Sequence, residues 1–428
     1  MNLPPLKHSP LTRQGPRPLP LHLLIQTTTL LSSLAVLPNL RNGSLSLKSL
    51  GAEKQPQALL NALQSLNPEQ TGRFLRAIRA EIVHRHALFL AGVTRYRRHR
   101  FHRVQPDYPV LWSQGTTKVL DCRLSQSDQP VALIVPSLIN RSYILDLRPR
   151  TSLVRGLARR GIAPFLIDWD EPGPEEAEFD LTDYIVRRLE PALQAAHQAT
   201  GRSVTLVGYC MGGLLAVAQA LRRPDLVNGL VLLATPWDFH QGFELQRALL
   251  EPMRQDLRPI IEGQGHLSVD VLQALFASFD PDLTIRKFTQ FAKLPKKNPP
   301  SKDSGAKDFI LLEDWANDGV PLVKKTAIQC LEEWCLSNAP AKGTWLVDGQ
   351  AVRPERLACP SLVVIPERDR IVTPASALAL CHCLPNSSNL KIDGGHVGML
   401  LTKRVGSRLH APMAGAIKNW ASRDARKS

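Results

Sequence analysis

Residues 203–215 have the sequence SVTLVGYCMGGLL, from which the fold class of this chain can be predicted. Its start is an apolar run that predicts a buried strand, and residues 214–222 predict a helix. Between them lies the spacing Gly-x-Cys-x-Gly, a nucleophile elbow with sulfur in place of a serine hydroxyl. Gly208 and Gly212 suit a strand-to-helix reversal that leaves no room for side chains. A loop cysteine between chance glycines is the alternative, which the framing strand and helix disfavour.

The elbow predicts a reactive position for its cysteine. Cys210 stands at the N-terminus of a helix, where the helix dipole favours a thiolate. The backbone amide of Met211 is then directed at any oxyanion that develops beside the sulfur. The stretch therefore predicts both a nucleophile and one oxyanion donor.

Alternating strands and helices extend from the elbow in both directions. Strands are predicted at residues 110–112, 117–120, 131–135, 162–167, 204–207, 230–233, 362–365 and 389–392. Helices between or after them are predicted at residues 152–160, 182–200, 214–222 and 413–420. This alternation predicts the α/β class, with a doubly wound, mostly parallel sheet and a site at the carboxyl ends of its strands.

The pattern divides the chain into four regions. The predicted regions are a basic helical N-terminal region with a flexible start (1–108), the first part of the α/β core (109–236), a helical cap insertion (237–340) and the second part of the core (341–428). Residues 1–20 are predicted to be flexible because they hold six prolines and no acid. Two helices broken near Asn67-Pro68 are expected between residues 56 and 96.

Positive charge is concentrated in the N-terminal region. Residues 1–103 contain 15 Lys and Arg but 3 Asp and Glu, so this quarter of the chain carries +12 of the net charge of +15. A basic appendage on a nearly neutral body favours an anionic partner, such as phospholipid headgroups or a phosphate-bearing substrate. No nucleic-acid-binding motif accompanies it, so nucleic acid is not an expected partner.

A leucine-rich segment lies within this region at residues 21–37. Its 17 residues, interrupted by His, Gln, Thr and Ser, are predicted to be too few and too polar to span a bilayer. As a helix with leucines along one side, it would rest on lipid as an interfacial helix or dock onto the protein itself. A signal peptide is disfavoured because no clean small-residue cleavage site follows.

Cysteine usage indicates a reducing compartment. Seven cysteines without disulfide-framework spacing predict a cytoplasmic protein. Cys381-His382-Cys383 suggests a metal pair, but zinc ligands are usually separated by about two to four residues. The end of an Ala- and Leu-rich helix is the preferred interpretation, and no metal is expected.

A cysteine elbow requires a base and an orienting acid. In this architecture they follow in the order acid then histidine, each after a late strand. Asp369 follows the strand at 362–365, and His396 follows the strand at 389–392. The sequence therefore predicts a triad in which His396 accepts the Cys210 proton and Asp369 orients the imidazole. Ordinary surface or cap positions for the acid and the histidine are the alternative.

Four ordered motifs resemble those of polyhydroxyalkanoate synthases. Residues 136–147, PSLINRSYILDL, resemble the Pro-Pro-x-Ile-Asn…Tyr-Ile-Leu-Asp-Leu signature of that family, and residues 207–213 resemble its cysteine box. Residues 369–372 and 395–397 resemble its Asp and His segments. On these motifs the chain resembles a divergent poly-3-hydroxybutyrate synthase of the α/β-hydrolase superfamily. Three features depart from the family: Ser137 for the second proline, Arg370 for a histidine, and residues 312–318 for a Trp-Asn-x-Asp segment.

The resemblance implies an activity and its participants. Cys210 would carry the acyl group, His396 would be the base and Asp369 the third member. The oxyanion hole would combine the Met211 amide with the loop at Leu138 and Ile139. The implied substrate is a hydroxyacyl-coenzyme A, with no cofactor. The implied partners are a polyester granule or membrane surface and further copies of the chain.

A cysteine nucleophile independently favours a thioester donor. A thiolate that attacks an oxygen ester must expel an alkoxide in preference to the better thiolate leaving group, so the attack mostly reverses. With a thioester the two leaving groups are matched. Two alternatives stay open: a Cys-dependent hydrolase of the same fold (an acyl-CoA thioesterase or intracellular polyester depolymerase), and a catalytically silent granule-associated protein.

Overall fold

A computed structural model describes residues 13–42, 57–125, 128–295, 304–402 and 404–424. In chain order, its strands are β1 Val110–Gln114, β2 Thr117–Asp121, β3 Val131–Val135, β4 Ala163–Asp168, β5 Val204–Tyr209, β6 Val227–Leu233, β7 His266–Leu267, β8 Leu322–Val323, β9 Leu346–Val347, β10 Gln350–Ala351, β11 Ser361–Pro366 and β12 Ser387–Ile392. Its α-helices are α1 Leu19–Arg41, α2 Gln57–Gln64, α3 Pro68–Arg97, α4 Leu153–Ala158, α5 Leu181–Tyr184, α6 Glu190–Gln198, α7 Met211–Arg222, α8 Glu244–Gln264, α9 Val269–Ala277, α10 Leu283–Lys293, α11 Ser304–Asn317, α12 Lys324–Ile328, α13 Ala339–Lys342, α14 Pro374–Cys383, α15 Gly398–Leu401 and α16 Ala411–Asp424. Shorter 3₁₀ and π-helical segments lie at Ser142–Asp146, Ile185–Leu189, Gln329–Leu336, Pro354–Arg356 and Gly406–His410.

The chain forms two compact units. One comprises Met1–Arg103 and Asp280–Asn317, and the other Val104–Phe279 and Asp318–Ser428. This division differs from the predicted regions, in which residues 237–340 formed one cap and the N-terminal helices stood alone.

The larger unit contains the predicted sheet. Eight strands of the described residues form it in the order β1-β2-β4-β3-β5-β6-β11-β12. Pairing is parallel from β4 to β12 and antiparallel where β1, β2 and β4 meet. The predicted α/β class with a doubly wound, mostly parallel sheet is confirmed.

The centre of the sheet is its most buried part. Every residue of β3 and of β5 is buried, as expected for parallel strands covered on both faces. Because β5, β6, β11 and β12 are parallel neighbours, their carboxyl ends lie at one edge. This edge carries the residues that follow β5, β11 and β12, among them the predicted triad.

The smaller unit is helical and has an aromatic core. Asn67 caps α3 by accepting a hydrogen bond from Gln70 N at 2.8 Å, with Pro68 as the first helical residue. The core is formed by Phe89, Val93, Tyr96, Phe288, Phe291, Ala306 and Ile310. It includes residues of α3, α10 and α11. These long-range contacts explain why residues 280–317 group with the N-terminal helices and not with the rest of the predicted cap.

Part of the predicted flexible start is ordered. Arg13 Nε lies 2.6 Å from Asp314 Oδ1, and Tyr96 donates to the same oxygen at 2.9 Å. The Arg13 side chain is nearly buried. Flexibility is therefore wrong for residues 13–20, since this charged pair holds them, while residues 1–12 lie outside the described part of the chain.

Helix α1 is longer than the predicted leucine-rich segment. It has 23 residues, and Leu19–Asn39 is long and apolar enough, by length and composition, to cross a membrane. A core helix or a signal sequence can have the same length and composition. The leucines of α1 differ in exposure: Leu37 is buried but Leu24 and Leu31 are more than half exposed. The segment Cys381–Cys383 ends α14, as the helix interpretation predicted.

Candidate active site

The elbow holds Cys210 in a strained backbone conformation. Its φ is 54° and its ψ −125°, in the turn between β5 and α7. Cys210 N donates to Leu233 O at 2.8 Å, and Gly213 N donates to Cys210 O at 2.9 Å. A Cβ at Gly208 would collide with the backbone of Gly213, so the turn requires glycine there. Such strain persists only where the surrounding structure fixes it, and it recurs at functional sites.

The predicted acid and base are in direct contact. His396 Nδ1 lies 2.7 Å from Asp369 Oδ2, and both side chains are buried. The other oxygen of Asp369 accepts from Ile371 N at 2.8 Å and Val372 N at 2.9 Å. The carboxylate is thus fully engaged and fixes one imidazole orientation. Nε2 of His396 is left for the nucleophile.

Charge at this site favours the protonated histidine. Burial lowers the pKa of His396, but the charges of Cys210 and Asp369, with hydrogen bonds to both, raise it from the usual 6.5 to about 10. The charge of Cys210 is among the causes of this rise, and the participation of all three residues in one triad stays a prediction. Asp369 and His396 therefore support an imidazolium at this site, and a cysteine beside an imidazolium is nucleophilic as its thiolate.

The predicted oxyanion residues lie beside the elbow. Met211 is the first residue of α7, so its N–H has no partner within the helix. A Cβ at Gly212 would collide with the carbonyl oxygens of Val135 and Pro136, so the end of β3 lies directly against the start of α7. Leu138 and Ile139 follow within three residues of that contact.

The amide of Ile139 is weakly hydrogen-bonded. Leu138 is buried, and Ile139 N donates to Ser137 Oγ at a long 3.4 Å. A weak bond of this kind is readily exchanged for a stronger one to an anion. Their role as oxyanion donors stays a prediction.

Comparison with known proteins identifies the family. Residues 130–401 match the model of the alpha/beta hydrolase fold. The chain belongs to the alpha/beta hydrolase fold family. The match covers the strands β3 to β12 and all three residues of the predicted triad.

Curated relatives of this alpha/beta hydrolase are polymerase subunits. It is 30% identical over 300 residues to the poly(3-hydroxyalkanoate) polymerase subunit PhaC of Haloferax mediterranei, covering 69% of this chain and 59% of the relative. It is 29% identical to the subunit of the same name from Allochromatium vinosum, covering 68% of this chain and 81% of the relative. The corresponding subunit of Haloarcula marismortui is 28% identical, and 61% of its length is covered. The chain thus spans about three fifths of two of these relatives. The predicted family resemblance is confirmed by these homologues.

One departure from the family motifs does not disturb the site of this alpha/beta hydrolase. Arg370 is exposed, although it directly follows the buried Asp369. The change from histidine therefore lies on the surface, and the contact between Asp369 and His396 is made without it.

Sequence reasoning missed Tyr209. Its hydroxyl donates to His396 O at 3.4 Å, and its ring lies 5.3 Å from the imidazole. Burial raises the pKa of Tyr209 well above 10, so the hydroxyl keeps its proton. The only sequence signal for Tyr209 was its position next to Cys210. Successive strand residues point to opposite faces of the sheet, so the contact between Tyr209 and His396 could be recognised only once the position of His396 was known.

Proposed function

We propose that this protein is a polyhydroxyalkanoate synthase-like acyltransferase. It moves hydroxyacyl groups from hydroxyacyl-coenzyme A through a Cys210 thioester to the hydroxyl of a growing polyester. The observation that carries the proposal is the identity of about 30% over 300 residues with a poly(3-hydroxyalkanoate) polymerase subunit. The cysteine at the elbow supports it, since thioester exchange suits sulfur better than ester hydrolysis does.

The first half-reaction would load the enzyme. The Cys210 thiolate attacks the thioester carbonyl carbon, and the oxyanion is met by the Met211 amide and by Leu138 or Ile139. The carbon–sulfur bond to coenzyme A then breaks, and the imidazolium of His396 protonates the departing thiolate. Coenzyme A leaves as the free thiol, and His396 becomes neutral.

The second half-reaction would return the enzyme to its starting state. Neutral His396 takes the proton of the acceptor hydroxyl while that oxygen attacks the Cys210 thioester. The carbon–sulfur bond breaks, an ester forms, and the thiolate–imidazolium pair is restored. Asp369 holds the imidazole and stabilises its positive form throughout. The cycle uses no cofactor, and we place it in the cytoplasm, in a homo-oligomer.

The identity of the acyl acceptor, a polyester hydroxyl or water, distinguishes polyester synthesis from thioester hydrolysis. With 3-hydroxybutyryl-coenzyme A, we expect the purified protein to release coenzyme A together with water-insoluble polyester. Coenzyme A accompanied only by free 3-hydroxybutyric acid would contradict the proposal and identify a thioesterase. No release, with binding to granules retained, would identify a silent granule-associated protein.

We also place the protein at a polyester granule or membrane surface, through α1. Between Arg17 and Arg41 this helix carries no Lys, Arg, Asp or Glu. Its hydroxyls bond back to helix carbonyls: Thr28 and Ser32 donate to residues four positions earlier at 2.8 and 2.7 Å. Their polarity is therefore satisfied inside the helix, which lowers the cost of contact with lipid.

Lipid binding by α1 can be measured by vesicle flotation. We expect the full chain to float with phosphatidylcholine–phosphatidylglycerol vesicles, and Leu24→Glu with Leu31→Glu to reduce the bound fraction roughly tenfold or more, because two exposed leucines lose their burial in lipid. Leu124→Glu with Leu346→Glu changes exposed leucines outside α1 and is the matched control. Equal binding by both double variants would contradict the assignment.

A further inference from the structure

The loop after β3 forms backbone contacts with Gly319 and Val320, which lie in the chain between β6 and β11. Val320 N donates to Ile139 O at 3.0 Å. Asn140 and Gly319 form an isolated antiparallel bridge. Backbone contacts thus join this segment to the loop that carries the predicted oxyanion donors.

The carboxylate of Asp318 adds side-chain contacts to the same loop. Tyr143 donates its hydroxyl to Asp318 Oδ2 at 3.0 Å, and Arg141 Nε lies 3.5 Å from Asp318 Oδ1. Arg141 also reaches the loop after β4, where its Nη1 lies 2.5 Å from Asp170 Oδ1. Its Nη2 lies 3.4 Å from Glu171 Oε2, so three carboxylates surround one planar guanidinium and restrict its orientation. The carboxylate of Asp318 therefore connects Arg141 with Tyr143.

We propose that Asp318 is a positioning residue for acyl transfer. By holding Arg141 and Tyr143, its carboxylate keeps the loop where the amides of Leu138 or Ile139 face the oxyanion. It acts through the loop and not on the reacting atoms. The inference rests on the proposed function, because acyl transfer to Cys210 forms an oxyanion.

Two reactions of the same sulfur separate this role from a merely structural one. Acylation by p-nitrophenyl acetate passes through a tetrahedral oxyanion and releases p-nitrophenolate, whereas alkylation by iodoacetamide forms no oxyanion. We expect Asp318→Ala to slow acylation of Cys210 about tenfold, less than the loss of a whole oxyanion donor. Alkylation and the melting temperature are expected to stay at the wild-type values. Asp318→Asn is expected to be intermediate, since an amide oxygen still accepts the Tyr143 hydrogen bond.

The matched control removes a surface carboxylate elsewhere in the same unit. Asp225 Oδ2 pairs with Arg223 Nη2 at 2.7 Å beyond the end of α7, and Asp225→Ala is expected to change neither reaction. Wild-type acylation by Asp318→Ala would overturn the inference, as would an equal fall in acylation and alkylation. A wild-type protein that accepts acetate from the ester but nothing from 3-hydroxybutyryl-coenzyme A would refute the proposed donor and leave the positioning role standing. A wild-type protein acylated by neither reagent would overturn both.

Discussion

Cys210→Ala is expected to lower coenzyme A release from 3-hydroxybutyryl-coenzyme A by about 10⁴-fold or more, because without the nucleophile no covalent intermediate forms. Alanine fits the elbow, whose turn is set by Gly208 and Gly212 and by backbone hydrogen bonds, so the fold should be kept. Release is measured by thiol titration, and folding by thermal melting.

A second cysteine provides the control for this variant. Cys383 is half-buried at the end of α14, and burial raises the pKa of its thiol. Cys383→Ala is expected to turn over at the wild-type rate. If Cys210→Ala instead kept most of the activity while folded, Cys210 would not be the nucleophile, and the enzyme would act through another group.

His396→Gln is expected to slow acylation of Cys210 by about 10²–10⁴-fold, the usual contribution of a positioned general acid–base group. Glutamine is similar in size and keeps a hydrogen-bonding group, but it supplies neither a base nor a positive charge. The thiolate is then no longer paired, so alkylation of Cys210 by iodoacetamide at neutral pH should also slow. Both rates are measured on the purified variant beside wild type.

The exposed histidine His382 supplies the matched control. His382→Gln should leave both rates unchanged. Equal alkylation rates for wild type and His396→Gln would show that the histidine does not activate the sulfur.

The raised pKa of His396 also predicts how activity changes with pH. The pKa of His396 is raised to about 10, so its imidazolium is present at neutral pH and is lost as the pH rises through that value. Protonation of departing coenzyme A should therefore persist up to that range and fall above it. Asp369→Asn removes one of the charges that raise this pKa, so the fall should begin at lower pH.

The sequence predicts those features whose determining residues lie close together in the chain or follow from strand order. The turn at Cys210 follows from two glycines between a strand and a helix, and the positions of Asp369 and His396 follow from strand order. The grouping of residues 280–317 depends instead on contacts such as the stacked rings of Phe291 and Phe309, 4.1 Å apart, with an aromatic core that includes residues of α3. No periodicity within either segment specifies such pairing.

Polar contacts between distant segments could not be predicted from the sequence either. Arg13 lies in a proline-rich stretch of the kind usually disordered, and its order is explained by distant partners, among them Asp314, 301 positions away. Asp318 lies where the family segment is not matched, and its contacts with Arg141 and Tyr143 become visible only when the chain is folded.

Intact-protein and peptide mass spectrometry after brief exposure to 3-hydroxybutyryl-coenzyme A shows whether Cys210 carries the acyl group. We expect one or more hydroxybutyryl groups on the wild-type chain, located on the peptide that contains Cys210 and absent from Cys210→Ala. A hydroxybutyryl group found on another residue, or turnover by wild type with Cys210 unmodified at every time point, would contradict it.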